Sequence, residues 1–262
     1  MTLIDAVGAR HIPDPSARIV SLVPSITELL CDLGLATQVV GRTGFCIHPQ
    51  ALVAAIPKVG GTKDVNLAKI AKLAPSHVIV NIDENEKGTA DALAAFVPHL
   101  VVTHPMGPRD NLALARLLGG IFCVGEAAKA WCAEFEAAYA RLQAAPKGRP
   151  ATVLYCIWQD PWMSISPDTY IARMLEQIGW RTPTLGAARY PVFAWNEALL
   201  AEIDCVLLST EPYRFTDSHA DALEKQIGKP VYLVDGEMLS WYGSRSVAGL
   251  GYLRELAAKG WV

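Results

Sequence analysis

The sequence predicts an α/β protein of two lobes, each a mostly parallel sheet flanked by helices, joined by one long backbone helix. Three observations carry that expectation. Strand and helix signals alternate across the first 104 residues, the stretch from Arg109 to Ala145 reads helical almost throughout, and the alternation resumes after Pro150. Strands that alternate with helices pair in parallel through right-handed crossovers. The expected divisions are an N-terminal lobe over 1–104, a connecting helical region over 105–149 and a C-terminal lobe over 150–262.

In the first lobe, Arg18–Leu22 is a short β-rich run. Ser25 and Glu28 have capping-box spacing, so a helix is expected from Ser25 to about Leu33, with Gly34 closing it. A strand at Gln38–Gly41, a helix at Leu67–Leu73 and a buried strand at His77–Val80 follow. A helix near Thr89–Phe96 and a strand at His99–Val102 complete the lobe. The connecting region is expected to break at Gly119-Gly120 and at Gly125, and Glu126–Ala145 alone would be roughly 30 Å long. Trp131, Phe135 and Tyr139 recur every four residues there, one helix face that packs inward.

The second lobe is expected to hold strands at Ala151–Cys156, Asp204–Ser209 and Val231–Val234. Its helices are expected at Asp168–Ile178, Asn196–Ala201, His219–Ile227 and Ser246–Ala258. Both halves follow the order helix, strand, polar turn, helix, strand, without a repeat at the residue level.

Composition excludes several partners. The 262 residues are 52% hydrophobic and 19% charged with a net charge of −3, and no Lys/Arg run interleaves with aromatics, which argues against nucleic acid. No window reaches the roughly 18 uninterrupted apolar residues of a membrane span. No basic-then-apolar leader is visible at the N-terminus. The expected location is therefore the periplasm if a signal has been removed, and otherwise the cytoplasm. The six cysteines are far apart, and Cys31, Cys156 and Cys205 sit in apolar runs that suit buried, reduced thiols.

The polar turn Asn81–Lys87, directly behind the apolar run His77–Val80, marks where to look for function. In α/β sheets, ligands are held beyond the carboxyl ends of the strands. Two readings stand for Asp83 and Glu86: a solvated helix start, where carboxylates favour the dipole, or part of a binding rim.

Several motifs in order resemble the helical-backbone periplasmic binding proteins, those of vitamin B12, haem and ferric siderophores. They are Arg18–Glu28, Val40-Gly41-Arg42-Thr43, Val59-Gly60-Gly61-Thr62, Asn66–Ile70, Ala74–Val80, Asp235-Gly236 and Ser240–Arg245. The resemblance is strongest to the cobalamin-binding branch and the helical backbone metal receptors. It implies a monomeric solute-binding protein that clamps a metal chelate such as cobalamin, haem or a ferric siderophore between its lobes. It implies no catalysis, and it implies delivery to an ABC permease. In that branch one acidic residue on each lobe docks on the permease; Glu197 takes the second-lobe position, whereas the first-lobe position is Ala68.

A flat chelate needs aromatic faces and a few fixed polar groups. From the first lobe the candidates are Phe45, His48, Thr62, Lys63, Asn81, Glu84 and Asn85. Phe45 stands where the cobalamin branch has a stacking tyrosine, and Thr62 where it has a tryptophan. From the second lobe they are Trp158, Trp162, Tyr190, Trp195, Trp241, Tyr242 and Arg245, with Phe193 beside them. These loop aromatics either mark a binding surface or pack on one another. Lys63 and Arg245 suit an anionic ligand. Cys46 and His48 have donor types that bind metals, but two residues make no site, and no resident metal is expected. Two alternatives remain: a cytosolic chelate carrier or sensor without a permease, and an enzyme using Cys46 with His48 or His104 as base.

Overall fold

The computed structural model describes residues 3–261. Cα packing divides the chain into two units. The first comprises 3–105, Arg109–Phe135 and Tyr242–Ser244; the second comprises Met106–Pro108, Glu136–Trp241 and 245–261. Each contains its own sheet of mainly parallel strands flanked by helices, so the chain is α/β as expected.

In the first unit a two-residue pairing of β1 (Leu3–Ile4) with β2 (Arg10–His11) precedes the sheet. The sheet contains β3 (Ile19–Ser21), β4 (Val39–Arg42), β5 (His77–Asn81) and β6 (His99–Thr103), in the order β4-β3-β5-β6, all parallel. Its central strands are largely apolar because both faces are covered. Val20, Leu22, Val59, Ile70, Val78, Val80 and Leu93 belong to one core cluster. The helices are α1 (Pro24–Asp32), α2 (Gln50–Val53), α3 (Leu67–Leu73), α4 (Lys87–Ala94) and α5 (Asp110–Ile121). Asn66 caps α3 by accepting from the Lys69 N–H at 2.9 Å.

Helix α1 starts one residue earlier than its capping-box signature implies. Pro24 opens the first turn, Val23 is the N-cap without a side-chain bond, and Ser25 is buried. The expected interruption at Gly119-Gly120 is also absent, since α5 runs through both glycines and stops at Phe122. The break lies at Cys123, with φ of 58°, after which α6 (Gly125–Ala144) begins. The division between the units falls inside α6, between Phe135 and Glu136, so residues 105–149 contribute to both. Trp131 and Phe135 are buried with stacked rings 5.7 Å apart, while the Tyr139 hydroxyl donates to Gln177 at 2.8 Å.

The second unit is built on β7 (Ala151–Trp158), with β8 (Met163–Ser164) antiparallel and β9 (Trp180–Arg181) parallel to it. Beyond β7 lie β10 (Cys205–Ser209) and β11 (Val231–Val234), both parallel. The helices are α7 (Tyr170–Glu176), α8 (Glu197–Glu202), α9 (Asp217–Ile227), α10 (Gly236–Ser240) and α11 (Arg245–Ala258). Thr169 caps α7, Asn196 caps α8, and Thr216 with His219 forms a capping box on α9.

Candidate functional site

Parallel register brings the carboxyl ends of the strands to one edge of each sheet. In the first unit, Asn81 pairs with Thr103 and Ser21 with both Ile79 and Arg42, so the loops after β4, β5 and β6 leave from the same edge. Asn81 and Asn85 hold these loops together. The Asn81 N–H donates to Asn85 Oδ1 at 2.8 Å, and Asn81 Oδ1 accepts from the Asp83 N–H at 2.8 Å. Asn85 Nδ2 donates to the carbonyls of Thr62 at 2.8 Å and Leu22 at 3.3 Å. Both residues are buried, and their hydrogen bonds tie these loops to one another.

The Thr62 loop is a tight reversal closed by the Gly60–Val65 bridge. Gly60 has φ of 110°, and a Cβ there would lie 2.3 Å from the Asp64 carbonyl oxygen, so only glycine fits. Thr62 is half-buried and Lys63 exposed. Phe45 is 62% exposed, and its ring edge lies 3.4 Å from where a Cβ on Gly61 would stand. The Phe45 and Thr62 loops are thus neighbours, and Phe45 offers an open face.

Glu84, on the turn after β5, accepts a 2.5 Å hydrogen bond from the Tyr242 hydroxyl. Tyr242 is buried, and burial together with the nearby Glu84 carboxylate pushes its phenol well above the ordinary range. The next residue, Gly243, has φ of 74° and donates its N–H to the buried Asn111 side chain at 2.6 Å. Tyr242–Ser244 accordingly packs with the first unit.

Cys46 is fully buried. Thr27 Oγ1 donates to its sulfur at 3.1 Å, Thr43 Oγ1 lies at 3.1 Å, and burial raises the thiol. A raised, enclosed thiol is the reverse of an activated nucleophile. His48 is half-buried beside a cavity in the same loop. His104 Nε2 is 3.3 Å from Asp83. Among the described residues, no group of three or more His, Cys, Asp or Glu is arranged to hold a metal.

The second unit gathers its aromatics at the ends of β7 and β10. Trp162 stacks on Phe215 with centroids 5.9 Å apart and planes 6° apart, and meets Trp195 edge-on at 5.4 Å. Phe193 touches Trp195 at 5.1 Å and Trp162 at 6.3 Å. Trp158 is 40% exposed and stands edge-on to Tyr213 at 5.3 Å, and Tyr213 accepts from Gln159 Nε2. Packing and display coexist here: Trp162, Phe193 and Trp195 rest on the core, while Trp158 faces solvent. Tyr190 is half-buried and follows Arg189, which pairs with Asp168 at 2.9 Å.

Trp241 and Arg245 are placed differently from the displayed Trp158. Trp241 is 8% exposed, and its indole N–H donates to Glu211 Oε2 at 2.7 Å. Arg245 lies over the Trp241 ring at 5.3 Å and pairs with Glu237 at 2.8 Å. Glu197 is exposed at the start of α8. Sequence reasoning missed Glu211, Tyr213 and Phe215, although this segment directly follows β10 and obeys the strand-end rule applied elsewhere. Burial raises the Glu211 carboxyl, against the lowering effect of the Trp241 hydrogen bond.

A family model described as periplasmic binding protein matches residues 19–224. The chain belongs to the periplasmic binding protein family. Its fold is that of the helical-backbone members. This binding protein is similar to the periplasmic vitamin B12 binding protein BtuF of Vibrio cholerae, with 16% identity and a TM-score of 0.78 over 94% of this chain and 100% of that one. It is similar to the periplasmic heme-binding protein RhuT from Roseiflexus sp. RS-1, at 20% identity and a TM-score of 0.78 over 94% and 100%. A possible iron-binding (periplasmic solute-binding) protein from Staphylococcus epidermidis gives 19% identity and a TM-score of 0.76 over 92% and 98%. No curated protein matches the sequence. Among the described residues, no helix of this binding protein is long and apolar enough to cross a membrane.

Proposed function

We propose that this protein is the solute-binding component of an ABC importer and that its cargo is a metal chelate of the corrinoid, haem or ferric-siderophore kind. The observation that carries the reading is the ring cluster at the carboxyl edge of the second sheet, where Trp158 stays exposed beside a packed aromatic base. A flat conjugated ligand gains most from a rigid ring already held in place. Phe45 presents another exposed ring at the carboxyl edge of the first sheet. The solved structures that share the fold include proteins named for vitamin B12, heme and iron binding, which supports the same cargo class.

The protein's part is binding and orientation: rings take the faces of the chelate, and the framed loops fix where they stand. Glu197 offers an exposed carboxylate for a permease, while the exposed Ala68 of α3 offers none. That asymmetry favours a second reading, a carrier or sensor that works without a permease. The test is a titration of the purified protein with cobalamin, haemin and a ferric siderophore, followed by tryptophan fluorescence. Saturable quenching by one of them is expected, and no quenching by any of the three rejects the chelate assignment.

A further inference from the structure

Arg42, the last residue of β4, is 4% exposed yet has no carboxylate partner among the described residues. Its Nε–H donates to the Val53 carbonyl at 2.8 Å and its Nη1 to the Thr43 carbonyl at 3.1 Å. A guanidinium has five N–H donors, and these two bonds leave the rest of the fork unused. A buried cation without a counter-charge is costly unless an anion or water meets it.

Arg42 lines an open cleft of about 520 Å³ together with Ile47, His48, Gln50, Val53, Ala54 and Lys58, and no Asp or Glu among the described residues contributes to its wall. Lys58 is exposed and is the β-bridge partner of Arg42, which sets two cationic residues side by side. The rest of the wall is Ile47, Val53 and Ala54, with the polar His48 and Gln50. The volume lies within the range of small-molecule sites, roughly 300–1,000 Å³.

We propose that this cleft binds a small organic carboxylate, its charged end on Arg42 and Lys58 and its apolar body on Ile47, Val53 and Ala54. A planar guanidinium fork matches the two oxygens of a carboxylate. The apolar part of the wall, Ile47, Val53 and Ala54, favours a hydrocarbon-bearing anion over inorganic phosphate. The site lies wholly in the first unit and does not depend on the cargo reading.

The test is an amide NMR titration of the intact protein with benzoate, benzyl alcohol and inorganic phosphate. Benzoate is expected to give saturable shifts at Ile47, Ala54 and Lys58, with benzyl alcohol and phosphate much weaker. Lys58→Ala, at an exposed position, is expected to weaken benzoate about three- to fivefold without lowering the unfolding temperature. Absence of saturable shifts, equal binding of benzyl alcohol, stronger binding of phosphate, or unchanged affinity in Lys58→Ala would each overturn the assignment.

Discussion

Lowering the pH should destabilise the first unit through one histidine. His77, the first residue of β5, is 1% exposed; its ring stacks on His99 at 4.6 Å and meets Phe122 edge-on at 5.3 Å. Its Nδ1 bonds to Ser76 Oγ at 2.9 Å, and Asp14 lies 3.8 Å away. Burial, with smaller contributions from His99 and His11, lowers its pKa from 6.5 to about 4, against the opposing pull of Asp14. Between those two values the unfolded chain binds a proton that the folded chain refuses. The stability contribution is therefore full above pH 6.5, declines as the pH falls, and is gone below about pH 4. A shift of this size corresponds to about 3 kcal/mol. Urea unfolding at closely spaced pH values, in the native protein and in His77→Gln, isolates the effect. The native protein should lose about 3 kcal/mol more than the variant across that window. Equal pH slopes in the two proteins, or a His77 titration near pH 6.5 by NMR, would refute the reasoning.

Three further outcomes are expected. Tyr242→Phe removes the hydroxyl that donates to Glu84 and should cost about 1–2 kcal/mol in urea unfolding; no loss would mean that the bond is not formed in solution. Trp158→Ala should weaken chelate binding about five- to tenfold with little change in stability, measured by titration and thermal unfolding. Thiol labelling of the native protein should be fast at Cys123, which is exposed, and slow at Cys46, whose buried thiol is raised. Mass spectrometry of the labelled peptides separates the two.

The parts of the fold legible in the sequence were those whose burial is written along the chain. A parallel strand covered on both faces, such as β5 or β10, is a nearly unbroken apolar run, and Asn66 and Asn196 mark helix starts by their own side chains. Gly119 and Gly120 read as a break because glycine is a poor helix former in isolation. Here a Cβ on Gly119 would lie 2.4 Å from the Ala128 Cβ, and one on Gly120 would lie 2.4 Å from Leu3 Cδ2. Close packing selects these glycines, and for Gly120 the cause lies at the far end of the unit's sequence. The pairing of β1 with β2 leaves no signature in the sequence, because two-residue strands show no period.

The candidate site divides along the same line. Trp158 and Trp241 are the same residue type at the edge of the same sheet's loops, and nothing local tells them apart. Glu211 does: it stands 30 positions before Trp241 and accepts the indole N–H, and that ring is buried, while Trp158 meets Tyr213 and remains exposed. Replacing Glu211 with Gln keeps an acceptor for the indole, whereas Glu211→Ala leaves a buried N–H unpaired at a cost of about 1–3 kcal/mol. If Trp241 orders the rim from within, Glu211→Ala should weaken chelate binding and Glu211→Gln should largely preserve it. Equal binding by both variants would assign Trp241 to the core alone and leave Trp158 as the ring that meets the cargo.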